Sequence, residues 1–279
     1  MRMKFYGVRG SIPTPGKETE QYGGNTTCIE VTSSHGDEYI FDAGTGARRL
    51  GNDLMQRMQG RVNASVFLTH KHWDHIQGFP FFTPAYVPGC KIDIYGSDAI
   101  RETFAGQQDR ERGYFPVGLE QMAATMRFMP FNDGDVFQNG VNIRSLRHEA
   151  HPQGMLSYKI QENGKTVVIT GDYESDEAEN DKKMIEWARN ADILVMDGQY
   201  TNDEYAKKKG WGHSSIERAC KLAKAAGVKR LYITHHEPMH DDETLKQLEA
   251  SAQRYMEDTL GERMIPVFFA KEGKEIEVW

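Results

Sequence analysis

An apolar run, Ser65-Val66-Phe67-Leu68-Thr69, empties into His70-Lys71-His72-Trp73-Asp74-His75, so four side chains that bind metal through nitrogen or oxygen fall within six residues of a strand end. A loop leaving a buried strand is where a rigid scaffold presents ligands. Imidazole suits zinc, iron and other borderline cations, and an added carboxylate suits a second, harder ion nearby. A solvated histidine cluster is the alternative for this segment alone. Three more residues stand at comparable places: His151 in His148-Glu149-Ala150-His151-Pro152, Asp172 in Ile169-Thr170-Gly171-Asp172, and His235 in Tyr232-Ile233-Thr234-His235-His236. Each is weak singly, because an Asp after Gly is usually a turn residue and a lone His is usually a satisfied polar group.

The rest of the chain reads as a scaffold for strand ends. Short β-rich runs are expected at 4–6, 26–32, 39–41, 65–69, 91–95, 142–146, 156–160 and 166–170, with a helix at 47–58. Glu162-Asn163-Gly164 has the residues of a tight hairpin between the last two runs. Beyond residue 180 helices at 181–189, 214–226 and 241–258 alternate with strands at 192–196 and 230–234. Ser214 and Glu217 have capping-box spacing, which leaves His213 just outside the positive end of the helix at 214–226. Two strand-rich stretches, each closed by helices, predict an α/β chain built as an αββα sandwich of two mixed sheets. No repeat or linker divides it, so residues 1–279 read as one domain.

Composition excludes several classes. Hydrophobic residues at 38% give a core, and no run reaches the roughly 18 apolar residues of a membrane helix. Cys28, Cys90 and Cys220 stand far apart without a CxxC, which excludes a disulfide framework and a cysteine zinc knuckle and fits a reducing cytoplasm. A net charge of −7 disfavours a protein that wraps nucleic acid electrostatically, though an acidic protein can still cut phosphodiesters. There is no GxSxG and no P-loop.

Taken together, His70-x-His72-x-Asp74-His75, His151, Asp172 and His235 resemble, in order and spacing, the signature of the metallo-β-lactamase-fold hydrolases. Gly212-His213-Ser214-Ser215, the opening Gly7-Val8-Arg9-Gly10-Ser11-Ile12-Pro13 with Asn25, and Phe41-Asp42-Ala43-Gly44 resemble the phosphodiesterase and RNase Z branch. The resemblance spans nearly the whole chain. It implies two divalent metal ions, zinc first with manganese or iron as alternatives, one held by His70, His72 and His151, the other by Asp74, His75 and His235, with Asp172 bridging. His151 is preferred to His148, and His235 to His236. Such a pair lowers the pKa of a shared water from 15.7 toward about 7 and supplies a bridging hydroxide. The resemblance further implies that His213 contacts the phosphate and protonates the leaving oxygen, oriented by an acid whose counterpart is Asp197. The branch's own segment reads His-Glu-Ala-Thr, which this chain does not match. Asp74, His213 and Asp197 are the residues on which the reaction is expected to depend.

The expected activity is hydrolysis of a small or cyclic nucleotide phosphodiester. An RNase Z-like tRNA endonuclease is the alternative, disfavoured because those enzymes carry a projecting Gly/Pro-rich arm with no counterpart here. Thioesterase or lactonase chemistry stays open. A di-iron oxygen or nitric oxide protein would usually place a carboxylate at His72 and need an electron-carrier domain, and a purely structural metal module has no use for His213. No membrane partner is expected, and a homodimer is compatible with the sequence. Asp42 is expected to support the metal loop through hydrogen bonds, Gly44-x-Gly46 to form a turn, and Arg9 to be a structural donor, with contact to a substrate phosphate as the alternative. The segment Arg101 to Met129, with Tyr114-Phe115-Pro116, is expected to pack its Phe and Met residues on the core, with a lid over the site as the alternative.

Overall fold

In the computed structural model, which describes residues 1–111, 115–176, 178–262 and 264–278, the first half of the chain builds one sheet and the second half another, except that the last strand returns to the edge of the first sheet beside its first strand. The first half runs β1 (Arg2–Gly7), β2 (Cys28–Thr32), β3 (Glu38–Phe41), α1 (Gly46–Arg57), β4 (Asn63–Phe67), α2 (Trp73–Ile76), β5 (Lys91–Gly96), α3 (Ile100–Gln107) and β6 (Thr125–Pro130). The second runs β7 (Val136–Asn139), β8 (Val141–His148), β9 (Met155–Glu162), β10 (Lys165–Ile169), α4 (Glu179–Ala188), β11 (Ile193–Asp197), α5 (Asn202–Lys208), α6 (Ile216–Ala226), β12 (Leu231–Thr234), α7 (Asp242–Arg254), β13 (Val267–Phe269) and β14 (Glu275–Glu277). The sheet orders are β14-β1-β2-β3-β4-β5-β6 and β13-β12-β11-β10-β9-β8-β7. In each, antiparallel pairing on one side gives way to parallel pairing on the other, at β3–β4 in the first sheet and β10–β11 in the second.

Between the sheets lies a core that includes Phe5, Phe41, Phe67, Ile143, Tyr158, Ile160, Val167 and Val195, all at most 1% exposed. Phe67 is its centre, with Phe41 and Tyr95 stacked on it and Tyr158 edge-on. A second cluster fills the space under α4, α6 and α7, and a third lies under α1 and α3. These layers make the αββα sandwich that the alternation of elements predicts. Asn163 (φ 50°) and Gly164 (φ 75°) both adopt the left-handed region in the β9–β10 hairpin, as a two-residue turn requires.

Three expectations need correction. The N-cap of α6 is Ser215, whose hydroxyl accepts from Arg218 N, and not Ser214. Ser214 is taken by another loop: its hydroxyl donates to Tyr173 O and accepts from Ser175 N at 2.9 Å. The helix expected to reach Asp258 ends at Arg254, after which Tyr255–Thr259 widens into a π-turn. Segment 101–129 contains α3 and β6, which the apolar pattern did not reveal. Its Phe104 and Met122 are buried and Phe128 is partly so, as expected, while Tyr114 lies outside the described residues. Among the described residues no helix is long and apolar enough to cross a membrane.

Candidate metal centre

The parallel strands open their carboxyl ends toward one place, where ligands bind in α/β sheets. β4 leads into the loop of His70, His72, Asp74 and His75; β10 into Asp172; β12 into His235; Asp197 ends β11, and His151 follows β8. Three groups result, each with ligand atoms within 4.8 Å of one another: His70, His72, His151 and Asp172; Asp74, His75, Asp172 and His235; and Asp172, Asp197, His213 and His235. All nine residues singled out from the sequence are thus brought together. His148 is not among them: its Nε2 lies 2.8 Å from Ser157 Oγ, and burial lowers its pKa to about 4. His236 is likewise diverted, with Nε2 donating to Ala270 O, and burial lowers its pKa to about 3.

Asp172 divides its two oxygens between the first two groups. Oδ1 lies 3.2 Å from His75 Nε2 and 3.3 Å from His235 Nε2, whereas Oδ2 lies 3.5 Å from His70 Nε2 and 4.0 Å from His151 Nε2. Asp74 Oδ2 sits 3.1 Å from His235 Nε2 and accepts from Ser11 N at 2.8 Å. The rings are aimed by hydrogen bonds from their outer nitrogens. His75 Nδ1 donates to Asp42 Oδ2 (2.8 Å), His151 Nδ1 to Gly212 O (2.8 Å) and His235 Nδ1 to Gln199 Oε1 (3.2 Å). That leaves each Nε2 facing the centre, the arrangement by which ligating histidines are oriented.

The donor set fits divalent cations. Nε2 of His70 and of His75 is buried without a hydrogen-bond partner, and His151 Nε2 lies 2.9 Å from His72 Nδ1. Buried polar atoms rarely stay unpaired unless another species completes them.

Electrostatics separate the two groups. Burial, then mutual repulsion, holds His70 well below the usual histidine range, and burial also lowers His72 and His151. Burial opposes protonation of His75 and His235 too, but Asp172 and Asp74 outweigh it, holding His75 well above its ordinary value and His235 at about 9. Asp172 stays ionised because His235, His75 and His70 overcome its burial.

Beside the groups, His213 Nδ1 donates to Asp197 Oδ2 at 2.7 Å, and its ring stacks on that of His235 with centroids 4.7 Å apart. The backbone is strained where the site needs it. Asp42 (φ 62°) and His235 (φ 61°) both occupy the left-handed region, costly for residues with a Cβ and concentrated at functional sites. Gly212 (φ 92°) is required by contact as well, since a Cβ there would stand 2.2 Å from His151 Nδ1.

Asp42 acts as the sequence suggests, and its Oδ1 also accepts from Thr69 N at 2.8 Å. Arg9 is fully buried and donates to the carbonyls of Gly23, Glu237 and His240, a structural role. Sequence reasoning missed Gln199, although it stands two residues after Asp197, and missed Gly212 and Ser11, which contribute only backbone atoms.

A family model described as a beta-lactamase superfamily domain matches residues 38–236. A ribonuclease Z from Methanosarcina acetivorans is 25% identical, the alignment covering 87% of this chain and 90% of that protein. That alignment runs over 300 positions, so several tens of residues of the relative face gaps in this 279-residue chain. Among solved structures, the metallo-β-lactamase-fold protein YhfI from Bacillus subtilis superposes with a TM-score of 0.72 at 21% identity, covering 99% of both chains. The short form of human tRNase Z superposes with a TM-score of 0.66 at 21% identity, covering 100% of both.

Proposed function

The chain belongs to the beta-lactamase superfamily, and from that premise we propose that it is a divalent-metal-dependent phosphodiesterase acting on an RNA phosphodiester. The observation that carries the chemistry is the shared carboxylate: Asp172 offers one oxygen to each of two imidazole-rich groups, with the His213–Asp197 pair at their edge. The named relative, a ribonuclease, supports the substrate class.

His70, His72 and His151 would hold one cation, Asp74, His75 and His235 the other, and Asp172 both. Zinc suits this set of imidazoles and carboxylates, with manganese or iron as alternatives. Two such ions lower the pKa of a water toward about 7 and offset the charge that grows on a phosphate oxygen. The protein does the rest. Asp42, Gln199 and the Gly212 carbonyl fix ring orientation, so the donors need no rearrangement when substrate arrives. Asp197 holds the Nδ1 proton of His213 and fixes its ring, leaving Nε2 to give a proton to the departing alkoxide. One hydrolase domain, residues 1–279, carries all of these groups.

A second reading, a small or cyclic nucleotide phosphodiester, is favoured by one feature. His151 and Asp172 are joined by a plain hairpin, β9–β10, whose turn is Asn163-Gly164, leaving no room there for an arm that grips tRNA. The deciding experiment offers metal-replete protein a 3′-extended tRNA precursor, a cyclic nucleotide, bis(p-nitrophenyl) phosphate and a thioester. Cleavage of the precursor supports the RNA reading, and turnover of the cyclic nucleotide alone supports the second. Turnover confined to the thioester overturns both.

A further inference from the structure

Two residues of the ligand loop lie outside the candidate metal groups and border a second space. Lys71 and Trp73 alternate with His70, His72 and Asp74, and both line a neighbouring cleft of about 880 Å³ together with Gln77, Phe81, Gln107 and Phe115. Lys71 also lines the narrow cleft of about 180 Å³ that contains His70 and His72, so the two spaces meet at its side chain. Trp73 is 65% exposed and Phe81 55% exposed, although both are large aromatics in a chain with ample core to bury them. Single exposed apolar residues mean little, but aromatics gathered on one cleft mark a binding surface. Here Phe81 is held edge-to-face by Phe115, with centroids 5.6 Å apart at 85°. The cleft has a polar edge too. Gln107 donates from Nε2 to Ile76 O at 3.0 Å, which leaves its Oε1 buried and without a hydrogen-bond partner.

We propose that this cleft is a nucleobase subsite, in which the base beside the scissile phosphate stacks on Trp73 and Phe81. The inference deepens the phosphodiesterase reading and rests on it. A base presents a flat π-face to the aromatics and a polar edge to Gln77, Thr103 and Gln107 along the cleft wall. Its phosphate lies toward Lys71, the cation between the cleft and the candidate metal groups. An acyl chain would match the apolar wall but would bring no anion to Lys71 and no polar edge to Gln77 and Thr103.

The test compares two esters with the same leaving group: a nucleoside 5′-(p-nitrophenyl phosphate) and ethyl p-nitrophenyl phosphate. Replacing the stacking surface in Trp73→Ala or Phe81→Ala should lower the ratio of their kcat/KM values roughly 5- to 150-fold, chiefly through KM of the nucleoside ester. Trp73→Phe should restore most of it. An unchanged ratio in both alanine variants overturns the subsite. Binding gives an independent readout: adenosine monophosphate should quench the protein's tryptophan fluorescence and ribose 5-phosphate should not, and Trp73→Phe should abolish the quench. A quench that survives Trp73→Phe places the base elsewhere and overturns the proposal. If the wild-type protein hydrolyses neither ester, the phosphodiesterase reading fails, and the quench still decides the subsite.

Discussion

The two groups joined at Asp172 use the same kinds of donor and differ in charge. In the first, His70, His72 and His151 are neutral imidazoles, half-buried at His70 and His72, and Asp172 is the lone carboxylate. In the second, Asp74 and Asp172 face His75 and His235 in a fully buried pocket, and both rings are pushed toward the protonated form. The second group therefore balances its carboxylates with protons when no cation is bound, whereas the rings of the first are already neutral. A cation entering the second displaces protons, and one entering the first does not.

The substitution that should break the comparison most completely is Asp172→Ala, since it removes an oxygen from each group at once. Turnover is expected to fall to background and metal content to drop at both positions, checked by elemental analysis beside rate. Near-normal turnover with both ions retained would take Asp172 out of its shared role. Next in size is His213→Ala, which touches neither group's donor set. It should slow an ester with a ribose-hydroxyl leaving group roughly 100- to 10,000-fold, the usual range for a general acid, and slow a p-nitrophenyl ester far less. Equal losses on both would reduce His213 to phosphate binding.

The difference in protonation gives a pH test. His235 has a pKa of about 9 and His75 lies well above its ordinary value, so at pH 7 both hold protons that a cation must displace. Affinity at the second group should rise as pH rises toward 9, about tenfold per pH unit for each proton released. At the first group the imidazoles are already neutral, and affinity should stay nearly flat from pH 7 to 9. Calorimetric titrations at several pH values separate the cases, because only one of two binding steps should move. Two steps that move in parallel would show that the groups do not differ in charge.

The same contrast explains what was legible in the sequence. Two members of each group lie within six residues, His70 to His75, and such density at a strand end is visible without a structure. His151, Asp172, Asp197, His213 and His235 come one per strand end or loop, and only their order along the chain, matched to a family pattern, tied them together. The roles of Gln199, Gly212 and Ser11 left no such mark, although Gly212 and Ser11 lie inside segments that resemble the branch. Two of them act through backbone atoms, which every residue has, and a glutamine two positions after an acid is ordinary. The sandwich was readable from its alternating elements, whereas α3 and β6 were not. β6 has only half-buried and exposed positions, so its apolar alternation is weak, and its place is set by the parallel ladder with β5.

The smallest expected effect tests the alignment of the first group. His148 and His151 are three residues apart, and the two sit on opposite sides of one turn: His151 Nε2 reaches His72, while His148 Nε2 meets Ser157 and its Nδ1 is buried without a partner. Because burial already keeps His148 neutral, His148→Ala removes no charge from the centre. It removes packing against Tyr173 and a hydrogen bond to Ser157, a loss of about 1–3 kcal/mol in stability. Thermal unfolding should register that loss, with metal content and turnover near those of the unaltered protein. His151→Ala should show the reverse, weak metal retention and little turnover, since its ring is held in the centre by Gly212 on one side and meets His72 on the other. A His148→Ala protein that lost an ion while His151→Ala kept both would move the ligand by three residues and dissolve the first group as described.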